Sequence, residues 1–271
     1  MKGPKRLVVN ADDFGFARDV NRGIIAAHTR GILTATTLMA NGAAFDDAVQ
    51  LARQHPSLDV GCHLVLVQGP SLFQSGLLLP ATVRQLIQAV LLRQFQPFEE
   101  LRAQVERILS TGLRPLHLDT HKHTHLFPPI LDAVARLSDM FRIPWVRRPF
   151  DFPMEARGVP WPKRVVSRSL QAVRHQFHRK LQRHGCRTTD HFAGFQITGR
   201  YRKAELLRLL NNLPPGTTEF MTHPGFCTDE LRRTPTRLTE SREEELRALT
   251  APEVKAALAE NGVELLRYRD L

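Results

Sequence analysis

Cysteine is scarce. Cys62, Cys186 and Cys227 lie far apart in 271 residues, and no two form a C-x-x-C pair. That excludes a disulfide scaffold and makes a reduced, cytosolic compartment the simplest reading. Long apolar runs are missing too. The basic residues Lys2, Lys5 and Arg6 lead only into Leu7 to Val9, too short for a signal-peptide core. No run approaches the ~18 apolar residues that cross a bilayer. The expected location is the cytoplasm, with peripheral contact on the inner face of the membrane at most. There is no Walker A motif and no G-x-G-x-x-G after a strand, so nothing points to a nucleotide enzyme. Internal repeats and low-complexity segments are absent.

Acidic residues are the most uneven deficit. Lys and Arg number 38 against 27 Asp and Glu, a formal charge of +11. This balance invites an anionic partner: nucleic acid, an acidic membrane or an acidic substrate. Two stretches hold no acid at all. The first, Val60 to Phe98, places Leu72, Phe73, Leu77, Leu78 and Leu79 in a Gly/Pro/Ser-bearing loop, then an apolar helix over Thr82 to Arg93. It reads either as ordinary packing of a long insertion or as an apolar lid over a site. The second, Ala156 to Thr189, has nine basic residues, so it holds +9 of the net +11. Val166, Leu170, Val173, Phe177 and Leu181 recur there at three- and four-residue steps, the pattern of a basic amphipathic helix. Such a helix over about 163–184 either contacts an anionic membrane peripherally or packs its stripe on the protein with its charges in water. Nucleic acid is not expected, because no stacking aromatics are interleaved with the charge.

The chemistry-bearing residues sit at the ends of expected strands. Leu7 to Val9 is a short strand running into Asn10-Ala11-Asp12-Asp13-Phe14-Gly15. One Asp there is a helix cap or turn residue; two together repel, and one pKa should rise unless a cation sits between or beside them. Val60 to Leu66 is a strand carrying His63. Leu116 to Pro128 reads L-H-L-D-T-H-K-H-T-H-L-F-P, with His117, Asp119, His121, His123 and His125 inside thirteen residues. Its bland reading is a partly solvated surface cluster. His121 and His125 are spaced i, i+4 and would share one face if the chain turns helical. Trp145 to Pro149 is a strand ending in Arg147 and Arg148, either surface charges or a guanidinium that orients a carboxylate. Thr189 to Phe195 is turn-rich with no assigned role. Thr218 to Thr222 is a strand ending in His223-Pro224-Gly225, a rigid placement for a general acid.

Seven or eight strands separated mostly by helices favour a (β/α) barrel, and 271 residues suit one domain with insertions at about 70–98 and 156–189. Asp13, His63 and one or more of His121 and His125 make a mixed carboxylate and imidazole set. It suits a divalent cation, zinc favoured and magnesium the alternative, with a position open to water. Asp12 would then take a proton and His223 would protonate a leaving group, in hydrolysis of an amide or ester.

At these residues the chain resembles the YdjC-like carbohydrate deacetylases. N-A-D-D-F-G (10–15), T-A-T-T-L-M-A-N-G (34–42), G-C-H-L (61–64), H-L-D-T-H-K-H-T-H-L-F-P (117–128) and T-H-P-G (222–225) fall in that family's order. The resemblance implies a distorted (β/α) barrel that removes an N-acetyl group from an N-acetylglucosamine-type sugar. It implies Asp13, His63 and His121 as metal ligands and Asp12 as base. His123, His125, Asp119, Arg147 and Arg148 are the candidates for binding substrate or supporting the ligands. Within the family the chain looks most like the hopanoid-biosynthesis members, whose implied substrate is an N-acetylglucosaminyl hopanoid lipid. Lys122 and the basic 156–189 region set it apart from the diacetylchitobiose-type members. A soluble chitooligosaccharide is the alternative substrate, and a non-enzymatic basic membrane- or nucleic-acid-binding protein is the reading from another class.

Overall fold

The computed structural model describes residues 3–152 and 161–271, and within 161–172 the side chain of Val165 alone. The elements run β1 (Lys5–Phe14), α1 (Arg18–Arg30), β2 (Ala35–Leu38), α2 (Phe45–Gln54), β3 (Asp59–Leu64), α3 (Val83–Leu91), α4 (Pro97–Ser110), β4 (His117–Thr120), α5 (Pro128–Phe141), β5 (Trp145–Val146), α6 (Trp161–Arg183), β6 (His191–Ala193), α7 (Lys203–Asn211), β7 (Gly216–Thr222), α8 (Asp229–Arg232), α9 (Glu240–Thr250), α10 (Pro252–Glu260) and β8 (Val263–Leu265). Local chemistry sets several of these bounds. Pro97, Pro128 and Pro252 open α4, α5 and α10, where a missing N–H costs nothing. Thr82 caps α3 by accepting from the Gln85 amide at 3.2 Å.

Every strand pairing is parallel, in the order β5-β4-β3-β2-β1-β7-β6. Strand β8 pairs with Lys5 to Leu7 of β1, and β2 takes up β1 again from Asn10. The two ends of this sheet meet. Single bridges join Trp145 to Arg187 and Asp151 to Phe192, and the Phe152 amide donates to the Phe192 carbonyl at 2.9 Å. The ring is thus a distorted (β/α) barrel, closed by isolated bridges and not by a full ladder. Strand β5 has two residues, where the sequence suggested five, because Pro149 has no amide to offer a ladder. The turn-rich segment at 189–195 supplies β6.

Alternation along β1 separates two environments. Leu7, Val9 and Ala11 join the large apolar core, while Val8 packs with Ala35, Trp145 and Tyr268. Asn10 and Asp12 share the face of Val8 and meet His117, Asp119, Arg147 and Glu219 through a chain of buried polar contacts. The barrel is therefore apolar at one end and ionic at the other. Gly61 makes room for this: a Cβ there would stand 2.5 Å from the His117 carbonyl and 2.6 Å from its ring.

The two insertions take different forms. Residues 65–96 build a hairpin and α3. Helix α6 packs the stripe residues Phe177 and Leu181 inward at 3% and 1% exposure, with Phe177 edge-on to Phe150. The apolar stripe of that half is therefore used on the barrel, and Val173 remains exposed. Arg157 and the side chains of Lys163, Arg164, Val166, Arg168 and Leu170 lie outside the described residues. Among the described residues no helix is long and apolar enough to cross a membrane.

Candidate active site

The site forms where β1 loses register. Its pairing with β2 shifts between Ala11 and Phe14, and Asp13 adopts a left-handed backbone with φ 70°. A non-glycine residue pays roughly 1–2 kcal/mol for that conformation. The irregularity sends the two adjacent carboxylates to different partners. Asp12 accepts from Arg147 Nη1 and Nη2, both at 2.7 Å. Asp13 Oδ2 accepts from Arg242 Nη2 at 2.5 Å. The repulsion expected from sequence is met by two buried cations. Burial alone would raise both carboxyls; Arg147 and Arg242 override it and hold both well below the usual carboxylate range.

Asp13 Oδ1 is left buried with no hydrogen-bond partner. It faces His63 Nε2 at 3.4 Å and His121 Nδ1 at 3.3 Å, and those nitrogens are 3.2 Å apart. Three ligand atoms on a tetrahedral cation, with bonds of about 2.0–2.2 Å, stand roughly 3.3–3.6 Å apart. The triangle fits a divalent ion in spacing and in donor type, one hard oxygen and two imidazole nitrogens.

The support behind the triangle fixes which nitrogen faces it. His63 Nδ1 lies 2.6 Å from Asp119 Oδ1, and Thr37 donates to Asp119 Oδ2 at 3.1 Å. Burial pulls the His63 pKa down, but Asp119 more than reverses this and pushes it up to about 10. A carboxylate behind an imidazole orients the ring and strengthens it as a ligand. Asp119→Asn is accordingly expected to weaken zinc affinity about 10–100-fold, read by calorimetric titration of the metal-free protein. Unchanged affinity would remove Asp119 from the support of His63.

The His-rich stretch does not act as one helical face. Residues His121–Leu126 form a 3-10 turn broken by Lys122 and His123, both left-handed, with φ of 55° and 52°. His121 therefore turns to the triangle and His125 turns away. His125 is buried, 2.5 Å from Thr120 Oγ1 and 3.0 Å from the Arg147 carbonyl, so it holds Arg147 in place. The i, i+4 pairing suggested by sequence is corrected by that kink. His123 lines the cavity beside Phe192 and Phe195. His117, His123 and His125 are all buried, which the surface-cluster reading did not anticipate.

Arg147 is enclosed by three carboxylates: Asp12, Asp119 at 2.6 Å and Glu219 at 2.6 Å. It orients a carboxylate of the protein itself. Arg148 does not line the cavity; its Nη1 lies 3.3 Å from His178 Nε2 on α6. His223, at the end of β7, sets Nε2 3.9 Å from Asp12 Oδ2, and its amide donates to Glu245 Oε2 at 2.6 Å. Burial pushes its pKa down to about 4, so the ring rests neutral. Burial also pushes buried Glu245 up to about 7. Arg242, Glu219 and Glu245 were not singled out from sequence. A lone Glu within the apolar strand T-T-E-F-M-T was a usable signal for Glu219; Arg242 and Glu245 sit in a helix that reads as a solvated charged face.

These groups open into a cavity of about 560 Å³, whose other walls include Phe16, Phe195, Met221 and Leu238. That volume is in the range of small-molecule sites. A carboxylate and two imidazoles arranged for a divalent ion, beside an ionised Asp and a neutral His, can polarise a carbonyl and move a proton.

The YdjC-like protein family model matches residues 6–260, and the chain belongs to this family. It is 33% identical to a carbohydrate deacetylase of Brevibacillus brevis, over 98% of this chain and 99% of that one. It is 34% identical to a chitooligosaccharide deacetylase of Salmonella paratyphi B, over 98% of each. A crystal structure from Enterococcus faecalis, provisionally described as a cellobiose-phosphate cleavage protein, shares the fold. Its TM-score is 0.76 at 24% identity, over 99% of both chains.

Proposed function

We propose that the protein hydrolyses the N-acetyl amide of an N-acetylglucosamine-type sugar, with Asp13, His63 and His121 holding a divalent cation. The observation that carries this is Asp13 Oδ1, buried, without a hydrogen-bond partner and 3.3–3.4 Å from two imidazole nitrogens. The names borne by the relatives support the amide and the sugar.

A cation bound there supplies Lewis acidity, polarising a carbonyl oxygen and making nearby water more acidic. Zinc is favoured by the two imidazoles, with magnesium the alternative. The chain's own groups do the rest. Asp12 is kept ionised by Arg147 and accepts the proton of the attacking water. The proton taken up by Asp12 passes through His223, neutral at rest with its Nε2 3.9 Å from Asp12 Oδ2, to the leaving amine nitrogen. Asp119 and Thr37 hold His63, and His125 holds Arg147 through its carbonyl. Phe16, Phe195 and Met221 give the sugar an apolar wall. Acetate and the free amine are the products.

The sugar's carrier is a lipid in the reading we favour, an N-acetylglucosaminyl hopanoid. What supports this over a soluble chitooligosaccharide is the set of leucines left in water on the 65–96 insertion: Leu77, Leu78, Leu91 and Leu92 are 54%, 80%, 68% and 57% exposed. This reading places the enzyme in the cytoplasm at the inner membrane face, with the basic residues of α6 facing anionic headgroups. The relative named for chitooligosaccharides supports the soluble alternative. Acetate release from the glycolipid and from diacetylchitobiose, each with added zinc and with chelator, tests both levels. Chelator-sensitive release from the glycolipid is the expected result. Release from the soluble sugar alone would remove the lipid, and release from neither would remove the deacetylase.

A further inference from the structure

We propose that the Gln68–Pro80 hairpin is a bilayer-docking element: it seats Phe73, Leu77 and Leu78 in an anionic membrane and so brings the cavity mouth to a membrane-borne sugar. This rests on the lipid reading above and assigns the surface that serves it.

The apolar exposure is concentrated. Among the described residues, five of the eight exposed large apolar side chains lie between Phe73 and Leu92. They are not carried on slack chain. The Gln68 amide donates to the Pro80 carbonyl, Leu79 to Gly69 and Ser71 to Leu77, each at 2.9 Å. The base is held by Asn41, whose Nδ2 donates to the Pro70 carbonyl at 3.1 Å. The far end is held by Glu100, a buried carboxylate that accepts from Ser71 Oγ at 2.5 Å and from the Leu72 and Phe73 amides at 3.1 and 3.2 Å. Leu79 turns inward onto Met39 and Val65 while Leu78, beside it, stands 80% exposed. A hairpin pinned at both ends loses little conformational freedom when its tip enters an apolar phase. Its side chains meanwhile meet water constantly, which is unfavourable unless something covers them.

Charge identifies what covers them. No acidic residue occurs from Val60 to Phe98. On α3, Arg84, Gln88 and Leu91 follow one another at i, i+4 and i+7, and all are exposed. Arg93 follows at the helix end, and Lys122 sits at the hairpin base, its Nζ 2.8 Å from Gln68 Oε1. Exposed apolar side chains in a stretch whose own charged residues, Arg84 and Arg93, are both cationic match an anionic lipid surface. A second copy of this chain would set the same basic fringe against itself. Position supports the assignment as well. Gln68 lines the catalytic cavity, so the hairpin begins where the cavity opens.

The test uses the full chain, sedimented with vesicles of phosphatidylcholine containing phosphatidylglycerol or of phosphatidylcholine alone. The parent should partition onto the anionic vesicles. Leu77→Ser with Leu78→Ser should lower that partition roughly tenfold, and leave turnover of soluble diacetylchitobiose within about twofold. A Leu78→Trp variant should be quenched by brominated lipids more than the parent, which reports insertion without removing apolar surface. A parent that stays in the supernatant overturns the proposal. So does a double variant that sediments as the parent does, or a parent dimer that the double variant abolishes. Hairpin-dependent sedimentation with no acetate from any substrate would sink the deacetylase reading and leave the docking surface standing. Acetate from the soluble sugar without sedimentation would do the reverse.

Discussion

Asp12→Asn is expected to lower turnover about 10²–10⁴-fold while zinc content stays at one ion per chain. The geometry separates these two quantities. The triangle proposed to hold the ion is made by Asp13, His63 and His121, and Asp12 is not one of its corners. Asparagine keeps the shape of Asp12 and one oxygen for Arg147, which retains Asp119 and Glu219 as partners. What disappears is a carboxylate able to accept a proton. Metal content read by atomic spectroscopy beside acetate release separates the outcomes. Loss of metal together with activity would move Asp12 into the ligand set. Near-normal turnover would transfer the base role to His223.

Arg147→Met is expected to cost about 3–5 kcal/mol of folding stability near neutral pH, the largest structural effect of any single substitution at this site. Arg147 is 2% exposed and is the guanidinium that contacts three carboxylates that are themselves buried. Methionine fills much of its volume and leaves Asp12, Asp119 and Glu219 facing one another without a cation. The pH dependence follows from the direction of the shifts. In the parent, Asp12 has a depressed folded pKa, so its stabilisation is complete above the ordinary carboxylate range and is lost as pH falls through the depressed value. In the variant, uncompensated burial raises the folded pKa. Destabilisation is then complete above that raised value and fades as pH falls through it. The gap between parent and variant should narrow on acidification. Urea midpoints at pH 7.5 and at pH 5 measure it. A gap that is constant or widens would mean that the carboxylates find another counter-charge.

Much of this site could be read in the chain because strand ends announce themselves. Apolar runs broken by Asp-Asp, by Cys-His and by a His-rich stretch put Asp13, His63 and one or more of His121 and His125 at one rim, and the family resemblance singles out His121. Parallel strands separated by helices then require that rim to be shared. What could not be read depended on contacts between distant segments. Arg242 belongs to E-S-R-E-E-E-L-R, a pattern that reads as a solvated helix face, yet it is 1% exposed against Asp13. The divergence of His121 and His125 rests on two successive left-handed residues, Lys122 and His123, neither of them the glycine that usually marks such a turn. Periodicity did locate helix α6, but its spacing carried no information about which surface Phe177 and Leu181 would meet.

The seam of the barrel has a consequence for how such a protein can diversify. Strands β1, β3 and β4, which carry or lead into the three proposed ligand residues, are each joined to a neighbour by a ladder of several residue pairs, irregular only where β1 reaches Asp13. Between β5 and β6 the ring is closed by single bridges, and there the chain leaves for a long detour, from Arg147 to Asp190. Chain added or removed at that joint disturbs few ladder hydrogen bonds and none of the proposed ligands. The Val65–Gln96 excursion similarly departs after β3 has delivered His63. The reaction and the choice of what reaches it are thereby written in separable parts of one chain. A change of substrate would need new loops and no new chemistry.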